Sequence, residues 1–209
     1  MSHYRKPLAA AVIVNSAIFV VEGVAGFHAQ SSSLQMDAVH NFSDELALVF
    51  LYAAFVFSRG VSRQLLRTAN LFNSVGLLGV SALLLWQIVE RLLNPVPVIG
   101  AIPIAIGLLA AAANWIVARL LFEPGKSHAA IRLAYVHNIG DVWVSLAPVG
   151  AGVLVSVTGL PAFDPLVGGA IAVWFIASTA REVSSSREEL MWPERLDCGH
   201  ADHDALSAG

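Results

Sequence analysis

Two short stretches carry the residues that could do chemistry. In Met36-Asp37-Ala38-Val39-His40-Asn41-Phe42-Ser43-Asp44 a histidine precedes an aspartate by four positions, and His137-Asn138-Ile139-Gly140-Asp141 repeats that spacing. On a helix, residues i and i+4 share one face about one turn apart, so each stretch presents an imidazole beside a carboxylate. Two such faces make a four-ligand site of two nitrogens and two oxygens, the ligand number and types that tetrahedral zinc accepts. Two carboxylates also cancel the charge of a divalent cation. Ligation requires neutral imidazole and ionised carboxylate, so metal and protons compete for the site.

Both stretches lie inside long apolar runs, and this sharpens the reading. Ionisable groups within membrane helices are costly and are functional candidates by default. The bland reading of a single buried histidine is a hydrogen bond between helices. A matched pair of His-Asn-x-x-Asp segments in a chain with only 13% charged residues favours metal ligation over that reading. Asn41 and Asn138 stand about 100° round the helix from their histidines, where bonding between helices and support of the ligands are equally open.

The elements that must position these residues are membrane helices. The chain has 209 residues, 56% of them hydrophobic, against roughly 45–50% in soluble domains. Six apolar runs are read: 7–27, 34–57, 71–93, 98–122, 129–157 and 165–180. Each has about the 20 residues that a bilayer-spanning helix needs. The first run follows Arg5 and Lys6 but is longer than a signal-peptide core, and is read as a retained helix. Of the twelve Lys and Arg residues, all but Arg91 fall on one side of this topology, which places both termini in the cytoplasm by the positive-inside rule. The fold expected is an all-α membrane protein, a six-transmembrane-helix bundle with no soluble domain. Its parts are a cytoplasmic N-terminus (1–6), a transmembrane unit (7–180) and a cytoplasmic tail (181–209), mostly disordered.

Punctuation between the runs fits this plan. The Asn94-Pro95-Val96-Pro97 segment breaks a helix, Glu123-Pro124-Gly125-Lys126 reads as a turn, and Pro148 is placed to kink the fifth run. Asp164-Pro165 reads as an N-cap followed by proline at N1, with metal entry a secondary role for Asp164. Asn15, Glu22 and Asn114 are polar positions inside apolar runs and are expected to face the bundle. Glu22 is an accessory candidate for a proton or ion path, with a hydrogen-bonded structural carboxyl as the alternative. Asn114 is expected to make a structural hydrogen bond.

The remaining composition excludes several classes. A net charge of −3, spread along the chain, gives no basic stripe for nucleic acid. A single cysteine, Cys198, excludes an intrachain disulfide and a cysteine zinc module. The tail segment Cys198-Gly199-His200-Ala201-Asp202-His203 offers a thiol and imidazoles that can bind a soft divalent metal, although a solvated tail is the favoured reading. There is no His-Glu-x-x-His, and Ser145 has no general base arranged beside it, so the chain is not read as an enzyme.

These stretches together resemble the cation diffusion facilitator family of divalent-metal/proton antiporters. The resemblance rests on 33–44 and 134–141, with support from Asn15, Glu22, Glu90 to Pro95, Asn114 and Asp164-Pro165. It implies that His40, Asp44, His137 and Asp141 form the transport site, with Asp37, Glu22, Asn41, Asn138 and Asp164 as accessory positions. It implies proton-driven export of zinc, with cadmium or cobalt as further cargo, by alternating access across a bacterial inner membrane. No resident cofactor is implied. The family usually continues into a cytoplasmic ferredoxin-like domain that helps dimerisation, and residues 181–209 do not resemble one, so a homodimer is expected to pair through membrane helices. The family's Gly-Tyr-x-Arg-x-Glu element is not retained before the third run. Two other functions compete: a metal sensor that binds without transport, and a haem protein with His40 and His137 as axial ligands.

Overall fold

A computed structural model describes residues 2–56, 63–127 and 129–185. Among them the chain forms seven helices: α1 (Ser2–His28), α2 (Ser32–Val56), α3 (Arg63–Leu93), α4 (Ala101–Gly125), α5 (Ala129–Val144), α6 (Leu146–Thr158) and α7 (Phe163–Ser185). The Cys198, His200 and His203 tail, the other end of the expected topology and Arg59 lie outside the described residues.

Among the described residues, four stretches are long and apolar enough to cross a bilayer: 5–28, 101–125, 134–158 and 163–181. The protein is an all-α, multi-pass membrane protein. Its outward surface carries large apolar side chains such as Ile13, Trp86, Leu108, Trp143 and Val157, which suits lipid and would be costly against water. The polar side chains are turned inward: Asn15, Glu22, Asp37, Asn41, Asn114 and Asn138 are all buried. α2 carries Asp37, His40, Asp44 and Glu45 within its 25 residues, yet at about 1.5 Å per residue it too has the length of a span.

Two expectations need correction, and one is borne out. The fifth run is interrupted at Ser145, where α5 and α6 meet, just ahead of the Pro148 placed to kink it. Pro148 has no N–H to return to the Val144 carbonyl, so the ladder fails just ahead of the proline. The Glu123-Pro124-Gly125 segment is the last turn of α4 rather than a separate turn, closed by the Lys126 N–H on the Glu123 carbonyl and the Ser127 N–H on the Pro124 carbonyl. Asp164 lies inside the first turn of α7 and gives its carboxylate to α2 instead of its own helix.

That last contact forms part of a latch joining α2, α3, α7 and the α1–α2 turn at one end of the bundle. Asp164 Oδ1 accepts the hydroxyls of Ser31 (2.7 Å) and Ser33 (2.6 Å), while Oδ2 accepts the Ser32 N–H, an orphan donor at the start of α2. Arg91, near the end of α3, donates to the Gln30 carbonyl, to Ser32 Oγ and to Gln30 Oε1. The one cation that the charge rule left on the far side therefore has a structural partner in the α1–α2 turn. Glycine allows the closest approaches. A Cβ on Gly168 of α7 would stand 2.9 Å from the Ser32 backbone, and one on Gly107 of α4 would stand 2.9 Å from the Ser145 carbonyl. Gly107 thus seats α4 against the α5–α6 break.

Candidate metal centre

α2 and α5 bring the two motifs face to face. The donor atoms of His40, Asp44, His137 and Asp141 all lie within 4.8 Å of one another. His40 Nε2 is 3.0 Å from Asp141 Oδ1 and 3.4 Å from Asp44 Oδ2. His137 Nε2 is 2.8 Å from Asp44 Oδ1 and 3.8 Å from Asp141 Oδ2. Each histidine therefore touches both aspartates, and the contacts between helices are shorter than those within a helix. A tetrahedral shell with bonds of about 2.0–2.1 Å has donor-to-donor edges of about 3.3–3.4 Å, which the four separations bracket. The second oxygen of each aspartate, Asp44 Oδ2 and Asp141 Oδ2, is buried without a hydrogen-bond partner, as suits a group that waits for a cation.

The surroundings fix one side of this ring more firmly than the other. His40 stacks on Phe175 of α7, ring centroids 4.2 Å apart and 22° from parallel. His40, Asp44 and Asp141 are buried, whereas the His137 side chain retains 51% of its exposure. The imidazoles meet edge to face with centroids 5.7 Å apart. Their nitrogens are already engaged by carboxylates, which leaves no slot for a macrocycle between them, so the haem arrangement does not fit.

The accessory residues divide. Asn138 turns its amide to the Ala134 carbonyl of its own helix, 2.9 Å away. Asp164 belongs to the latch. Asn41 joins a buried polar thread: its Nδ2 donates to Glu22 Oε2 at 2.7 Å, and its backbone carbonyl accepts Asn15 Nδ2 at 3.0 Å. Asn114 Nδ2 reaches Ser145 Oγ at 3.2 Å and Asn41 Oδ1 at 3.5 Å, the structural hydrogen bonding expected of it. Asp37 is fully buried one turn before His40. Phe175 escaped the sequence reading because an aromatic residue in an apolar run carries no signal of a polar partner. Ser16, whose hydroxyl bonds Glu45 Oε1, escaped for the same lack of pattern.

Residues 8–191 match the family model described as the cation efflux transmembrane domain. The chain belongs to the cation efflux, or cation diffusion facilitator, family. Among its relatives, the zinc transporter ZitB of Escherichia coli K12 is 28% identical over 187 residues, covering 85% of this chain and 60% of that protein. The cadmium, cobalt and zinc/H(+)-K(+) antiporter of Bacillus subtilis is 27% identical over 205 residues, covering 92% of this chain and 66% of the relative. The chain thus spans about three fifths to two thirds of the curated relatives it matches.

Proposed function

We propose that this protein exports a divalent metal cation, zinc foremost, from the cytoplasm in exchange for protons, and that His40, Asp44, His137 and Asp141 hold the metal in transit. The single observation carrying this reading is the cross-paired ring of two imidazoles and two carboxylates between α2 and α5. A metal sensor could use the same four ligands. Export is favoured over it because the ligands sit on two different helices, and because the relatives named above are transporters.

The chemistry follows from the residues. Zinc arriving from the cytoplasm meets His137 first, since that is the exposed ligand, and displaces the protons that keep an empty pair of buried carboxylates neutral. With four ligands engaged, the metal-loaded site is close to electrically neutral. Parting α5 from α2 on the far side removes two of the four ligands at once, and returning protons then compete with the metal for the rest. Alternating access of this kind needs a helix that can move. α5 ends at the Ser145 break and packs chiefly on α4, with a thin seam to α2. In this reading the bundle has six spans, α5 and α6 making one, with the N-terminus in the cytoplasm and the latch on the opposite side.

The test uses the purified chain in sealed vesicles. Zinc should drive proton movement in the opposite sense, and Asp44→Ala and His137→Ala should each abolish that exchange. Unchanged exchange in either variant would remove the site assignment, and zinc binding with no flux in the unmodified protein would favour the sensor.

A further inference from the structure

The outward face of α4 carries cations on a surface that is otherwise apolar. Trp115, Arg119, Phe122 and Lys126 follow one another at spacings of four, three and four, which keeps them on one side of the helix, and all four are exposed. Each cation lies over the ring before it. The Arg119 guanidinium carbon is 5.7 Å from the centre of the Trp115 ring, and Lys126 Nζ is 4.6 Å from that of Phe122. Helical side chains lean toward the N-terminus, so both pairings carry the charge back along α4 rather than out past its end. Lys126 stands just beyond the apolar stretch 101–125, whereas Arg119 stands six residues inside it, about 9 Å along the axis.

A cation within a membrane helix normally faces the bundle interior or pairs with an acid. Arg119 does neither. Among the described residues its guanidinium has no hydrogen-bond or ion-pair partner, and Glu123, at i+4 from it, holds Lys126 Nζ at 2.7 Å instead. The Trp115 face attracts the charge but leaves the guanidinium N–H donors without an oxygen acceptor. The acceptor has to come from outside the chain.

The start of α5 adds to the same corner. A Cβ on Gly125 would stand 3.1 Å from the Arg132 Cα, so glycine lets α5 close on the last turn of α4, and Phe122 meets Tyr135 of α5 with ring centroids 5.5 Å apart. Arg132 is exposed there. Between residues 115 and 135 the charged groups are Arg119, Lys126 and Arg132 against Glu123, an excess of positive charge flanked by the exposed rings of Trp115 and Phe122.

We infer that this corner of α4 and α5 binds an anionic phospholipid, whose phosphate takes the free N–H groups of Arg119 while its acyl chains lie along Trp115 and the outer face of α4. Charge complementarity selects the occupant. A guanidinium fork matches a phosphate, a zwitterionic lipid offsets its phosphate with its own ammonium, and a free phosphate ion leaves the apolar flank uncovered. The lipid comes from the cytoplasmic leaflet in the topology proposed above, but its binding does not depend on metal export.

Native mass spectrometry of the purified full chain, titrated with phosphatidylglycerol or with phosphatidylcholine of the same acyl chains, tests this. Phosphatidylglycerol should bind about tenfold or more tighter, and Arg119→Gln should lower that preference about fivefold. Lys126→Gln, which removes a second cation and frees Glu123, should lower it at least as much, and Arg91→Gln at the opposite end of the bundle should leave it unchanged. Retained zinc binding marks each variant as folded, and should Arg119→Gln not fold, Lys126→Gln and the two lipids on the unmodified protein decide the matter. Equal binding of the two lipids, an undiminished preference in the folded variants, or displacement of the lipid by an equal concentration of inorganic phosphate would overturn the inference. So would a lipid-free dimer that dissociates in Arg119→Gln, which would give this face to a second copy of the chain.

Discussion

The two copies of His-Asn-x-x-Asp are alike in sequence and unlike in setting. The α2 copy is walled in: His40 lies flat on Phe175, Asp44 is buried, and α2 is latched at its start through Ser31, Ser32 and Ser33 to Asp164. The α5 copy stands at an edge, with His137 half exposed and Asn138 occupied by its own helix. Equal ligands in unequal settings suggest a division of labour, in which α2 supplies a fixed half-site and α5 the half that admits and releases the metal.

The strongest way to break this comparison is to remove a carboxylate. Asp44→Ala or Asp141→Ala should weaken zinc binding by more than about a hundredfold, beyond the usual cost of disturbing groups that only support ligands, as isothermal calorimetry would read. The histidines should then separate in stability rather than in binding. His40→Ala empties the space beneath Phe175 and should cost about 1–3 kcal/mol, whereas His137→Ala should stay within about 0.5 kcal/mol, compared by thermal unfolding in detergent. Equal losses would mean that the two half-sites are equally rigid. In a Cys198→Ser background, His137→Cys should react with a water-soluble thiol reagent faster than His40→Cys, and added zinc should slow the former. Zinc affinity itself should fall as pH is lowered, because each histidine must lose its proton to bind, so competition appears as the solution grows more acidic. The smallest effect expected is that of Arg91→Gln at the latch, about 1 kcal/mol of stability with zinc binding unchanged.

The clustering of the four candidate ligands was legible in the sequence because its signal is local: spacing of four places a histidine and an aspartate on one helical face, and apolar flanks make any such group conspicuous. That α2 and α5 meet was legible only through the repetition of the pattern. The runs of apolar residues located most helices to within about five residues, although α3 starts at Arg63, ahead of its run, and Pro148, which lacks an N–H, marked where α5 gives way to α6. Asp164, by contrast, was misread. An aspartate before a proline satisfies the local capping rule, and only the tertiary approach permitted by Gly168 brings Ser32 close enough to claim its carboxylate. Phe175 against His40 and Glu22 against Asn41 are likewise products of packing between helices, which no spacing within one helix encodes.

The central claim is that α2 and α5 each contribute one imidazole and one carboxylate to a single metal. X-ray absorption at the zinc edge of the loaded protein tests it most directly. The account predicts a first shell of nitrogen and oxygen at about 2.0–2.1 Å with two imidazoles, falling to one in His40→Ala and in His137→Ala. A sulfur neighbour at about 2.3 Å, which would implicate Cys198, or an imidazole count unmoved by either substitution, would contradict it.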